Sequence, residues 1–164
     1  MKTMRKLYVH FGLAAAIVLG LGGCASNSSS TQATIAKQYA MWNLTGHAVK
    51  AMKSSYWYAT SNTNERQNLV NSALSGEGNE YADYPTAYFL NQYQHGIKDI
   101  SYWKSREKDG QYIEFFHVTS GHNEKFSVVV AVEKYHGKWY PRDMMTNLSK
   151  QMQSQMATDM PMQG

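Results

Sequence analysis

EKFSVVVAVEKYHGKWY, residues 124–140, is the stretch on which the fold turns. Phe126, Val128, Val130 and Val132 fall on one face at the two-residue period of a strand. Val129 and Ala131 make the other face apolar as well, so a strand over 124–135 is expected to be central and covered on both sides. His136-Gly137 has the length and chemistry of a tight hairpin turn. Lys138-Trp139-Tyr140 then opens another strand, and Pro141, with no N–H to donate, confines its surroundings to an edge or a bulge. On the N-terminal side, Ser120-Gly121-His122-Asn123 is a turn and residues 111–119 read as a strand. Lys108-Asp109-Gly110 is a second hairpin signal, with a strand over 97–106 before it.

Ahead of Gly96 the period changes. Ile35, Ala36, Tyr39, Ala40, Leu44, Ala48, Ala51 and Met52 recur at three- and four-residue steps, predicting a helix over 33–58 with a weak point at Gly46. A second helix is expected over 63–75, capped by Asn62 or Thr63, with Leu69, Val70, Ala73 and Leu74 on its apolar side. Residues 77–85 read as a loop and Thr86–Gln94 as a short helix. After the strands, Met145, Leu148, Met152 and Met156 space a helix over 145–157. Helices first, then a four-stranded antiparallel meander, then a short helix make one α+β domain over 33–158, with helices packed on one face of the sheet. Residues 159–164 are expected to be a disordered tail.

The N-terminus has a different character. Lys2, Arg5 and Lys6 precede a mostly apolar run over 7–21. That run is shorter than the roughly 20 residues of a comfortable membrane span and has the length of a signal-peptide core. Leu21-Gly22-Gly23-Cys24 follows, and residues 24–32 are Ser/Asn/Thr/Gln-rich, the composition of a flexible tether. This pattern resembles the lipobox of bacterial lipoproteins. The resemblance implies that residues 1–23 are a lipoprotein signal peptide and that Cys24 becomes the N-terminus and carries covalent lipid. Two or more acyl chains anchor a protein stably. Ala25 and Ser26 stand where, in such lipoproteins, an Asp favours inner-membrane retention. The resemblance therefore implies the inner leaflet of an outer membrane, with the domain facing the periplasm. Cys24 is the only cysteine, so the domain's stability must come from packing and not from disulfides.

Tyr135-His136-Gly137-Lys138-Trp139-Tyr140 ends the last hairpin in Gly-Lys-Trp. With the element order, this resembles the nuclear-transport-factor-like superfamily, also described as a cystatin-like α+β cone. The resemblance spans about residues 33–145. It implies an N-terminal helical layer seated in a curved sheet.

Charge and motifs narrow the function. Lys2, Arg5 and Lys6 belong to the signal, which leaves 13 basic against 12 acidic residues and no basic run. The electrostatic footprint of a nucleic-acid binder is therefore missing. None of His47, His95, His117, His122 and His136 stands at a metal-ligand spacing; His117 and His122 are closest, flanking a turn. There is no Gly-x-Ser-x-Gly, and the lipid that the resemblance implies would block the Cys24 thiol, so no catalytic residue is assigned. Glu114, His117, Tyr140 and Asp143 are the groups a cone interior would draw on. Glu114 and His117, three apart on a strand, point to opposite faces.

Two clusters remain. Tyr56, Trp57 and Tyr58 are consecutive rings that one helical face cannot hold, since neighbouring side chains point about 100° apart. At least one is expected at the surface or under the tail, and Trp57 is the candidate partner anchor. Six of the ten methionines lie near the C-terminus. Among them Met152, Met156, Met160 and Met162 are candidate thioether ligands for soft Cu(I), against a competing reading as adaptable core filler. The expectation is a lipid-anchored binding or envelope-assembly module, with an envelope protein or cell-wall material as partner and no cofactor besides the lipid. The alternative is a small-molecule-binding or enzymatic domain with a cone-shaped cavity.

Overall fold

The computed structural model describes residues 30–75 and 84–160. The segment expected to be a signal, Cys24, most of the expected tether, most of the 77–85 loop and Met162 lie outside the described residues. Helices α1 (Thr31–Leu44), α2 (Ala48–Ser54), α3 (Tyr56–Thr60), α4 (Thr63–Ser75) and α5 (Tyr84–Tyr93) come first. Strands β1 (Ile97–Lys108), β2 (Gln111–Ser120), β3 (Lys125–Tyr135) and β4 (Lys138–Asn147) follow, and α6 (Lys150–Asp159) closes the order. The strands form one antiparallel sheet in sequence order. This is the expected α+β layout.

The helix expected over 33–58 is three helices. It begins at Thr31, inside the expected tether, because the Ser30 hydroxyl accepts the Ala33 N–H at 3.1 Å. Gly46 stops the helix instead of kinking it: at φ +79° it lets His47 N–H reach Trp42 O at 2.7 Å and its own N–H reach Asn43 O at 3.3 Å. Those two bonds are the C-terminal cap that favours a left-handed glycine. Ser55 is extended and caps α3 by accepting the Tyr58 N–H at 3.2 Å. Asn62, not Thr63, caps α4. Its side chain accepts the Glu65 N–H at 3.1 Å, while the Glu65 carboxylate takes the Asn62 N–H at 2.8 Å. The apolar side of α4 is only partly used, with Ala73 buried but Leu74 69% exposed.

The core lies between α1 and the face of the sheet that the helices cover. α1 contacts all four strands. Ala36, Tyr39, Ala40 and Leu44 pack with Phe116, Val118, Phe126, Val128, Val130 and Val132, joined by Phe89 and Leu90 of α5 and Met152 of α6. Each fully buried aliphatic or aromatic side chain here contributes roughly 1.5–3 kcal/mol. β3 is an interior strand, but it is covered on one side only: Val129 and Ala131 stay half-buried because the helices pack on the opposite face.

β4 is an edge strand with a bulge. Val132 pairs with Pro141 and Ala131 with Asp143, leaving Arg142 as the extra residue. β4 runs on to Asn147, so Met144 and Met145 belong to the strand and not to the helix expected from residue 145. α6 starts at Lys150, where Ser149 Oγ accepts the Met152 N–H at 3.1 Å. β1 has register breaks at Ile97/Asp99 and Tyr102/Lys104. Such bulges bend and twist the strands that carry them. Among the described residues, no helix is long and apolar enough to cross a membrane.

Candidate functional site

Among the described residues, one acid is buried on the helix-covered face of the sheet. β2 turns Glu114 inward, opposite Ser105 on β1 and Val130 on β3. Its side chain is fully buried. Oε1 accepts from Ser105 Oγ at 3.0 Å, and Oε2 has no partner. Burial pushes the carboxyl above its ordinary value, and the Ser105 bond only partly opposes this. Tyr102, 46% exposed at the edge of the same face, is also raised, first by desolvation and then by the Glu114 charge. The arrangement is an acid with one free oxygen, suited to donating or accepting a single hydrogen bond beneath the helices. His117 points away from it, Asp143 is exposed, and Tyr140 is half-buried on the edge strand.

The expected aromatic cluster is a clamp. Breaking the helix at Ser55 sets Tyr56, Trp57 and Tyr58 on α3, and all three are half-buried. Trp57 Nε1–H donates to Arg142 O at 3.1 Å. The Arg142 guanidinium lies 4.7 Å from the Trp57 ring centre and 5.3 Å from that of Tyr56. It also pairs with Glu133 and sits 3.4 Å from Asp143 Oδ2. Tyr56 packs edge-on against Tyr135 at 6.0 Å, and Arg66 covers Tyr58 at 5.1 Å. The Trp57 indole N–H is therefore already bonded within the domain.

The exposed ring that sequence reasoning passed over is Trp103, at 50%. Across the β1 bulge, Tyr102 faces the inward Phe116 while Lys104 faces the outward Phe115. Trp103 and Lys104 thus both emerge on the open face, away from the helices. Trp103 stacks on His117 at 4.8 Å and meets Phe115 edge-on at 6.1 Å. Lys104 Nζ lies 3.7 Å from the Trp103 ring centre, and Arg106 lies 6.0 Å from that of Phe115. A depression of about 330 Å³ adjoins the cluster, bordered by Ser101, His117, Thr119 and Lys125. Met145, 58% exposed, lies beyond half-buried Val129 on the same face. The signal available in the sequence was two large aromatics side by side in a strand, which period-two alternation cannot send to one face.

The remaining candidates are separated. His117 goes to Trp103, whereas the His122 ring lies 4.4 Å from that of His95. No group of three or more His, Cys, Asp or Glu gathers among the described residues. Met152 is fully buried in the core, with Met156 and Met160 packed against it. The Thr45 hydroxyl lies 2.9 Å from His47 Nδ1, but its proton goes to Met41 O at 2.6 Å, which makes it part of the helix end.

No protein-family model matches the chain, and no curated protein sequence matches it. Among solved structures, a Campylobacter jejuni protein described as an NTF2-like transpeptidase superposes with a TM-score of 0.51 at 14% identity, over 69% of this chain and 98% of that one. At that identity the likeness concerns the fold, and it supports an NTF2-like arrangement.

Proposed function

We propose that this chain is a lipid-anchored, periplasm-facing envelope lipoprotein whose domain binds a partner on the open face of its sheet. The observation that carries the binding role is the exposed Trp103, stacked on His117 and crowned by Lys104. Large rings held rigidly at a surface are the usual anchors of interfaces. Lys104, Arg106 and Lys125 give the patch a positive character, which suits an anionic envelope protein or cell-wall polymer. The anchoring role is supported by the Leu21-Gly22-Gly23-Cys24 site, with a short polar tether between it and α1. Two experiments test the reading. Cys24→Ser should abolish labelling by a fatty-acid probe, and retained label would remove the anchor. Trp103→Ala should lower crosslinking yield in whole envelopes while leaving the melting temperature close to that of wild type; unchanged crosslinks would remove the surface.

A second reading places a small ligand, or its chemistry, inside the cone. It is supported by the unpartnered Glu114 Oε2. The solved neighbour's description names transpeptidation. No nucleophile in this chain is assigned to that reaction, so the reading is confined to ligand binding through the Glu114 carboxyl. Loss of small-molecule retention in Glu114→Gln, with folding intact, is its expected signature.

A further inference from the structure

We propose that His95 and His122 form a two-imidazole site for a divalent transition-metal ion of tetragonal preference, with Cu(II) as the best fit. The proposal stands apart from the binding function above and rests on the juxtaposition of two turns. His95 lies between α5 and β1, and His122 lies in the β2–β3 turn, 27 positions along the chain. Their ring centres are 4.4 Å apart with a 47° angle between planes. Aromatic rings that simply pack prefer offset stacking or an edge-to-face contact, and this tilt is neither.

The separation has a chemical meaning. A metal–imidazole bond of about 2.0–2.1 Å places the metal about 3.2 Å from the ring centre. Two such rings bound at a right angle have centres about 4.5 Å apart, and at the tetrahedral angle about 5.2 Å apart. The observed 4.4 Å matches cis ligation in a square or octahedral site. Cu(II) and Ni(II) take that geometry with imidazole, and Cu(II) binds more tightly. Both side chains are exposed, so water can fill the other positions.

The pair is also held in place before any ion arrives. His95 is in the left-handed region at φ +53°. His122 N–H donates to Gln94 O at 3.1 Å, and Gly121 N–H donates to Gly96 O at 2.9 Å. Beneath them, the buried Gln94 side chain accepts from Ser120 Oγ at 3.0 Å and donates to Gln155 Oε1 at 2.9 Å. These bonds lock the two turns to each other and to α6. Turns fixed to each other in this way lower the entropy cost of bringing the two exposed imidazoles onto one ion.

The test is a Cu(II) titration of the full-length chain in detergent, with electron paramagnetic resonance to count coordinated imidazole nitrogens. Wild type should bind one Cu(II) through two imidazoles. His95→Asn keeps a residue that tolerates the left-handed conformation. It and His122→Asn should each weaken binding by at least about tenfold, the lower bound seen even for second-shell losses, and each should reduce the count to one. His136→Asn is the control, since His136 also has positive φ, at +46°, but lies in a different turn; its affinity should match wild type. Equal affinity in all three variants would assign the ion elsewhere and overturn the proposal. A single imidazole in the wild-type spectrum would overturn it without recourse to any variant. Should His95→Asn lower the melting temperature, His122→Asn and the wild-type nitrogen count still decide.

Discussion

Glu114 and Gly121 show how much depends on single positions. Glu114 is raised by burial, so the folded state holds its proton more firmly than the unfolded chain does. Its contribution to stability is then fully present below the ordinary value of 4.5 and is lost as pH rises through the raised one. Glutamine keeps an acceptor for Ser105 and removes the titration. We expect Glu114→Gln to gain stability relative to wild type as pH goes from about 4 to about 7, read by melting temperature at both ends. Parallel profiles would mean that Glu114 titrates as an ordinary surface acid. Gly121 is tied to its place by contact. A Cβ there would lie 2.4 Å from His95 O and 2.7 Å from Gln94 O, both backbone atoms. Gly121→Ala should therefore force the two turns apart and cost about 1–3 kcal/mol in a urea titration, the range of overpacking. The same change should loosen Cu(II) binding at His95 and His122.

The helices and strands meet through a few specific joints. α3 is five residues long, too short to persist alone, and it is held by Trp57 and Arg142 on the β4 bulge. We expect Trp57→Ala to destabilise the domain by about 2–3 kcal/mol, through lost packing and an unpaired Arg142 carbonyl. Trp57→Phe keeps most of the ring and should cost about 1 kcal/mol, the worth of the hydrogen bond. Chemical denaturation of both variants is the check, and two unperturbed curves would mean that α3 is not docked through this residue. The bulge that leaves Arg142 unpaired thus supplies the joint, with Pro141 beside it on the edge strand. In β1, the bulge at Tyr102/Lys104 sets Lys104 beside Trp103 on the open face and returns Ser105 to the face of Glu114.

Taken together, the domain is a sheet with one sealed face and one open face. The sealed face is where the fold is most vulnerable. Val130 is fully buried on an interior strand, between Glu114 on β2 and Met144 on β4. Val130→Asp would place a second carboxylate beside Glu114, with no buried cation among the described residues to pair it, and the domain should fail to fold. Loss of the cooperative melting transition is the expected reading, and a native transition would place Val130 outside the core. The open face tolerates change, and Trp103→Ala there should leave the same transition in place.

The layout of this protein was legible in local pattern. Alternation in Phe126–Val132, the Asp109-Gly110 and His136-Gly137 turns, and three- and four-residue spacing ahead of Gly96 are short-range signals that each element carries within itself. They are enough for helices, then a meander, then a helix, and for the opposite facing of Glu114 and His117. Where they misled, the deciding interaction was a cap or a partner outside the window. Gly46 closed a helix through a paired cap, and Ser55 opened another. Met145 stayed in a strand because β3 supplied its register. Trp57 found Arg142, 85 residues away. The sites depend on tertiary structure for the same reason. Nothing along the chain links His95 to His122 until the turns that carry them are brought together, and Tyr102 and Ser105, three apart, share a face only because the β1 bulge shifts the alternation.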